Sequence, residues 1–222
     1  MLSVREIDVF YGDFHVLHGV SLEIAKGELV AVVGANGHGK STLLKAICGL
    51  VPVSRGDIAF EGRSLRGRKA AHLVADGLAY VAEDRRLFPD MTVRENLLLG
   101  AYTSRARARR SENLALVLDL YPRLAERQSQ LARTLSGGEA QMLALGRGLM
   151  SAPHFLAIDE PSLGLAPNLV ESMLETIAEL NRQGLTILMV EQSLALMEGL
   201  VSRIYTLEEG VISETTARAA AG

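Results

Sequence analysis

The residues Gly34, Ala35, Asn36, Gly37, His38, Gly39, Lys40, Ser41 and Thr42 spell GANGHGKST. The run satisfies G-x-x-x-x-G-K-[ST], and it follows an apolar run and opens a helical pattern, the context a phosphate loop requires. A triphosphate needs backbone N–H groups at close range. Glycines let the chain turn tightly and come near. A helix opening near Lys40 aims its positive dipole end at the phosphates. Lys40 adds a point charge for the β- and γ-phosphates. The Ser41 hydroxyl is an oxygen ligand suited to Mg²⁺, a hard cation that keeps several waters. His38 stands where a small residue is the safer design. Its ordinary reading is a histidine pointing to solvent; the alternatives are contact with phosphate or with a partner chain.

Two further groups extend this chemistry. In HFLAIDEP an apolar run ends in Asp159 and Glu160, which places both carboxylates at the carboxyl edge of a buried strand, where open α/β sheets bind ligands. Asp159 is placed to hold Mg²⁺ through water. Glu160 is the candidate for orienting and activating an attacking water. The third group is LSGGE, from Leu135 to Glu139. Ser136, Gly137 and Gly138 open a helix and present N–H groups and a dipole end to an anion. Taken alone it reads as a plain N-capped helix. Within one chain the anion has no obvious source.

These residues need a scaffold. The chain has 222 residues, enough for one large domain with a core of its own. Its 48% hydrophobic and 22% charged content is ordinary for a globular protein. A net charge of −3 gives no general call for nucleic acid. Arg105, Arg107, Arg109 and Arg110 form the one basic cluster, read as a solvated helix start. Cys48 is the only cysteine, which excludes an intrachain disulfide and a cysteine zinc site, and suits a reducing compartment. Arg5, Glu6 and Asp8 rule out a signal-peptide apolar region in the first residues. No run of about 18 apolar residues occurs, so the chain is not expected to span a membrane; if it works at one, other subunits must provide the spans.

Periodicity predicts the elements. Val4–Phe10 and Val20–Ile24 alternate as half-buried strands do. The unbroken apolar run Leu29–Val33 predicts a strand buried on both faces. A helix follows from Lys40 to Cys48, then strands at Asp57–Phe60 and Leu78–Ala82, with Glu61-Gly62 as a turn. From about residue 90 to 150 the pattern is helical. Thr92 and Glu95 are spaced as a capping box. Asn113–Tyr121 reads as a helix stopped by Pro122, and Gly138–Met150 as a third. Strands return at Phe155–Ile158, Thr186–Val190 and Arg203–Leu207, with a helix near Asn168–Arg182. The tail from Thr215 to Gly222 has nothing to pack and reads as frayed. Alternating strands and helices predict an α/β fold with a parallel sheet.

In the order of loop, signature, acidic strand end and later switch, the chain resembles the ATP-binding subunits of ABC transporters over nearly its full length. The resemblance implies a single P-loop ATPase domain over 1–222. Its parts are a parallel-sheet core, an antiparallel β-subdomain and an α-helical subdomain near 90–150. It implies ATP and Mg²⁺ as ligands. It also implies a head-to-tail dimer in which Ser136, Gly137 and Gly138 of one chain meet the γ-phosphate held by the other. Tyr11 lies at the aromatic position that stacks on adenine. Its rivals are Phe10 and Phe14, and its bland alternative is a turn aromatic. Ser162–Pro167 matches the loop that contacts the partner chain.

Two positions depart from the common pattern. Glu83 stands where many members have Gln, and Gln192 where many have His. Glu83 still offers an oxygen to Mg²⁺, and Gln192 can still hydrogen-bond a γ-phosphate. With Lys40 and Glu160 they form the implied catalytic and ligand set. Both changes, with YVAEDRRLFP, MTVRENL and EPSLGLAP, are similar to the second ATP-binding subunit of branched-chain amino acid importers, the LivF type. That type implies a different ATP-binding subunit as dimer partner. It also implies two integral membrane permease subunits, an external solute-binding protein, and a place on the cytoplasmic face of the membrane. Importers of urea or other small polar solutes are the alternative. A non-transport ABC ATPase is a further one, opposed by the lack of heptads, zinc cysteines and a second phosphate loop. His38 and a tail that stops before the usual final helix depart from the type.

Overall fold

The computed structural model describes residues 1–217. The chain opens with two long strands, β1 (Leu2–Tyr11) and β2 (Phe14–Ile24), then enters β3 (Leu29–Val33) and α1 (Lys40–Ile47). β4 (Arg55–Phe60), β5 (Arg63–Ser64), α2 (Ala70–Ala75) and β6 (Leu78–Val81) follow. A helical stretch holds α3 (Val93–Gly100), α4 (Ser104–Ala108), α5 (Arg110–Leu120), α6 (Pro122–Glu126) and α7 (Gly137–Leu149). The chain then returns through β7 (Phe155–Asp159), α8 (Pro167–Arg182), β8 (Thr186–Glu191), α9 (Leu194–Met197), β9 (Arg203–Glu208) and β10 (Val211–Ala217).

These strands form two sheets. A four-stranded antiparallel sheet has the order β2-β1-β4-β5, and a six-stranded sheet the order β10-β9-β3-β8-β7-β6. The larger one is parallel from β9 to β6, with β10 antiparallel at its edge. The unbroken apolar runs are explained by two separate cores. In β3, Leu29, Ala31 and Val33 pack on the side of the helical stretch, and Val30 and Val32 on the side of α1 and the antiparallel sheet. β8 divides in the same way, Ile187 and Met189 against Leu188 and Val190. Each fully buried side chain of this size contributes about 1.5–3 kcal/mol, so neither face tolerates polarity.

Three expectations need correction. Pro122 does not simply stop a helix; it occupies the first turn of α6, where its missing N–H costs nothing, and α5 before it begins already at Arg110. Arg105 is not a free solvated charge: its guanidinium donates to Ala152 O at 2.9 Å and lies 2.8 Å from His154 Nε2. Thr215, Thr216 and Ala217 are not frayed but pair with Tyr205, Ile204 and Arg203 in β10. The rest of that predicted tail lies outside the described residues.

Candidate functional site

The site lies where β3 and β7 end. β3 delivers the chain into the loop, and Gly39 (φ 100°) turns it into α1, a conformation that favours glycine. Gly34 serves a different need: a Cβ there would meet Leu207 O at 2.2 Å. Lys40 and Thr42 are buried in the first turn of α1. A cleft of about 290 Å³ opens here, lined by Val16, Asn36, Gly37, Gly39, Lys40, Ser41, Thr42, Glu83, Glu160 and Leu163.

β7 brings the acids to the same edge. Ser41 Oγ donates to Asp159 Oδ1 at 2.9 Å, and the Tyr80 hydroxyl donates to Asp159 Oδ2 at 2.7 Å. Burial and this bond to Asp159 push the Tyr80 hydroxyl far up, so it remains a proton donor. Lys40 Nζ contacts Glu160 Oε1 at 2.9 Å and donates to Ala35 O at 3.1 Å. Glu160 has φ 42°, the left-handed region that a non-glycine residue rarely enters. Its N–H donates to Val190 O at 3.0 Å, which ties the turn to β8.

The neighbouring loop is fixed by a second buried acid. Glu191 accepts from Ser162 N at 3.0 Å and from Ser162 Oγ at 2.9 Å. Its carboxyl is pushed above the ordinary range mainly by burial, and further by the charge of Glu160, while the Ser162 bonds oppose the shift. On the far side of the cleft, Glu83 begins a segment held by α7. Arg147 donates to Arg85 O and Arg86 O at 2.8 and 2.7 Å.

The other predicted residues take their own places. Gln192 Nε2 donates to Asn36 Oδ1, which ties the end of β8 to the loop. Tyr11 ends β1 and is 48% exposed, whereas Phe10 is stacked on His15 with ring centroids 4.0 Å apart. His38 does not point freely to solvent and does not line the cleft. It is half-buried, its Nδ1 is enclosed without a hydrogen-bond partner, and its carbonyl accepts from Gly210 N. Ser136 caps α7 in a capping box with Glu139, whose carboxyl is held low first by the Ser136 N–H. Gly138 lies so close to α8 that a Cβ would meet Leu169 Cδ1 at 2.6 Å. None of Ser136, Gly137 or Gly138 lines the cleft. Sequence reasoning missed Val16 and Tyr80, because their place depends on tertiary approach, and it gave Leu163 only as part of the loop that contacts a partner chain.

The donor set bears on the metal. Around the cleft it consists of hard oxygens from Ser41, Asp159, Glu83 and Glu160. No group of three or more His, Cys, Asp and Glu fit to hold a metal alone occurs among the described residues. Few protein oxygens beside a phosphate loop fit Mg²⁺, which takes most of its ligands from phosphates and water.

The profile of the family described as ABC transporter matches residues 17–163. The chain belongs to the ABC transporter family. It has the family's ABC ATPase fold and is an ATP-hydrolysing, ATP-binding member of it. The chain is 45% identical to the high-affinity branched-chain amino acid transport ATP-binding protein BraG of Pseudomonas aeruginosa, over 96% of this chain and 91% of that one. It is 35% identical to the "Probable branched-chain amino acid transport ATP-binding protein LivF" of Archaeoglobus fulgidus, over 96% and 90%. Among solved structures, it resembles an ATP-binding cassette of an ABC transporter in its ADP conformation. That match has a TM-score of 0.88 and 28% identity, and covers 98% of this chain and 91% of that one. Among the described residues no helix is long and apolar enough to cross a membrane.

Proposed function

We propose that this chain is the ATP-hydrolysing subunit of an importer of branched-chain amino acids. The observation that carries this is that Lys40, Ser41 and Glu160 line one cleft with Asp159 bonded to Ser41 beside it, together with 45% identity to BraG over nearly the whole chain. Lys40 and the loop N–H groups receive the β- and γ-phosphates of ATP. Tyr11 stacks on adenine. Ser41, Asp159 and Glu83 would hold Mg²⁺, which would neutralise charge developing on the phosphate oxygens. Glu160 orients the attacking water, and Gln192 hydrogen-bonds the γ-phosphate.

Glu160 Oε1 contacts the Lys40 ammonium at 2.9 Å. Phosphate oxygens compete for the same ammonium and release the carboxylate for water. The second half of the site comes from a partner. Ser136 and its glycines do not line this chain's cleft, and an N-capped helix start is ready for an anion held elsewhere. We assign that anion to the γ-phosphate on a second ATP-binding subunit, of a different sequence, in a head-to-tail dimer. ATP closes the dimer and hydrolysis reopens it. On the cytoplasmic face of the membrane, two integral permease subunits dock on this chain near Glu83–Met91, and an external binding protein delivers the solute.

The test is uptake in a strain lacking this chain, with leucine, isoleucine, valine and urea as labelled solutes. Loss of branched-chain amino acid uptake, restored by the wild-type chain but not by Lys40→Ala, is expected. Intact uptake of all three amino acids with loss of urea uptake overturns the assigned solute.

A further inference from the structure

Tyr80 lies on the edge strand β6, in register with Ala157 of β7. Side chains alternate between faces along a strand, so Tyr80, Ala157 and Asp159 share one face. The phenol spans the diagonal from Tyr80 to Asp159, and its hydroxyl donates to Oδ2 at 2.7 Å. The other oxygen accepts from Ser41 at 2.9 Å. Asp159 is 1% exposed, so bulk water cannot replace either donor. Without them the carboxylate torsion is broad and two-fold. With one donor on each oxygen, it has a single orientation. Tyr80 also lines a separate cleft of about 440 Å³ with Phe88, Leu99, Tyr102 and Arg147, and it is absent from the phosphate-loop cleft.

We propose that Tyr80 is a positioning residue for the divalent cation that accompanies ATP. Its hydroxyl holds Oδ2 of Asp159 so that the carboxylate presents a fixed acceptor to the metal. The inference rests on the reading of Asp159 as a Mg²⁺ ligand. Outer partners of this kind set ligand orientation, and their loss weakens metal binding by about 10–100-fold. Tyr80 does not line the nucleotide cleft, so metal-free nucleotide binding is independent of it.

The experiment measures binding of trinitrophenyl-ATP to the full chain, once in Mg²⁺ and once in EDTA. Tyr80→Phe keeps the ring and removes only the hydroxyl. It should reduce the Mg²⁺-dependent gain in affinity at least about tenfold and leave the EDTA affinity unchanged. Asp159→Asn is measured beside it. If Asp159→Asn loses the gain while Tyr80→Phe keeps it, the positioning role is overturned. An equal drop in both affinities for Tyr80→Phe overturns it as well, since that is what a merely structural residue gives. If Asp159→Asn also keeps the gain, the metal reading of Asp159 fails and the proposal with it.

Discussion

Lys40 Nζ and Glu160 Oε1 lie 2.9 Å apart, with side chains only 3% and 8% exposed. One residue comes from the start of α1 and the other from the turn after β7, so the pair joins the two halves of the catalytic cleft. Removing one partner of a buried pair strands the other's charge, at a cost of about 3–5 kcal/mol. Lys40→Met should therefore lower stability by about 3 kcal/mol, and adding Glu160→Gln should recover part of that loss. Urea unfolding of the two single variants and the double variant checks this. Strict additivity would show that the pair is not coupled.

Ser136 makes a complementary prediction. As the cap of α7 it accepts from Glu139 N at 3.3 Å, and Ser136→Ala should cost about 1 kcal/mol of stability. ATP binding to the isolated chain should stay at the wild-type level, because Ser136 is outside its own cleft. ATP turnover in the assembled complex should fall by tenfold or more, the scale of losing a donor to developing charge. Weakened ATP binding in the isolated chain would instead place the signature in the chain's own site.

Glu191 predicts a pH effect with a definite sign. Burial first, then the charge of Glu160, raises its folded-state value above the ordinary 4.5. The folded chain thus binds the proton at higher pH than the unfolded chain. The group's contribution to stability is full below about 4.5 and lost as pH rises through the folded-state value. Glu191→Gln should remove this dependence. Thermal midpoints of variant and wild type, compared from pH 4 to pH 8, should differ in the variant's favour more at pH 8 than at pH 4. A difference independent of pH would contradict the assignment.

Glu83 lines the cleft and starts the segment clamped by Arg147. It should tune coupling to transport rather than nucleotide binding. The Gln amide still offers an oxygen to the metal, so Glu83→Gln is expected to change the number of ATP molecules split per solute moved, with ATP affinity altered less than about threefold. Abolished nucleotide binding would sink this role.

The parts of the fold legible in the sequence were those with one dominant force. β3, β7 and β8 announce themselves as unbroken apolar runs because each separates two cores. The capping box at Thr92 and Glu95 is local, and both of its bonds form. Pro122 ends α5 as its ring predicts, but the same ring suits the first turn of the next helix, which the sequence reading left out. β10 follows a Glu209–Gly210 turn, and its weakly apolar run gains definition only from pairing with β9. In the site, the phosphate loop and the two acids are contiguous motifs. Tyr80 and Val16 are not, since one needs the register of β6 against β7 and the other the approach of β2 to the loop. Gly34 has a second constraint that only the fold supplies: its neighbour is the Leu207 carbonyl of a strand far along the chain.

We assign to Glu160 the activation of the water with which this cleft hydrolyses ATP. Phosphate release by the assembled complex, with Glu160→Gln in this chain alone, tests it most directly. Turnover attributable to this site should fall by a factor of at least about 10², while Mg²⁺-dependent ATP binding persists. Unchanged phosphate release would show that Glu160 does not activate the water.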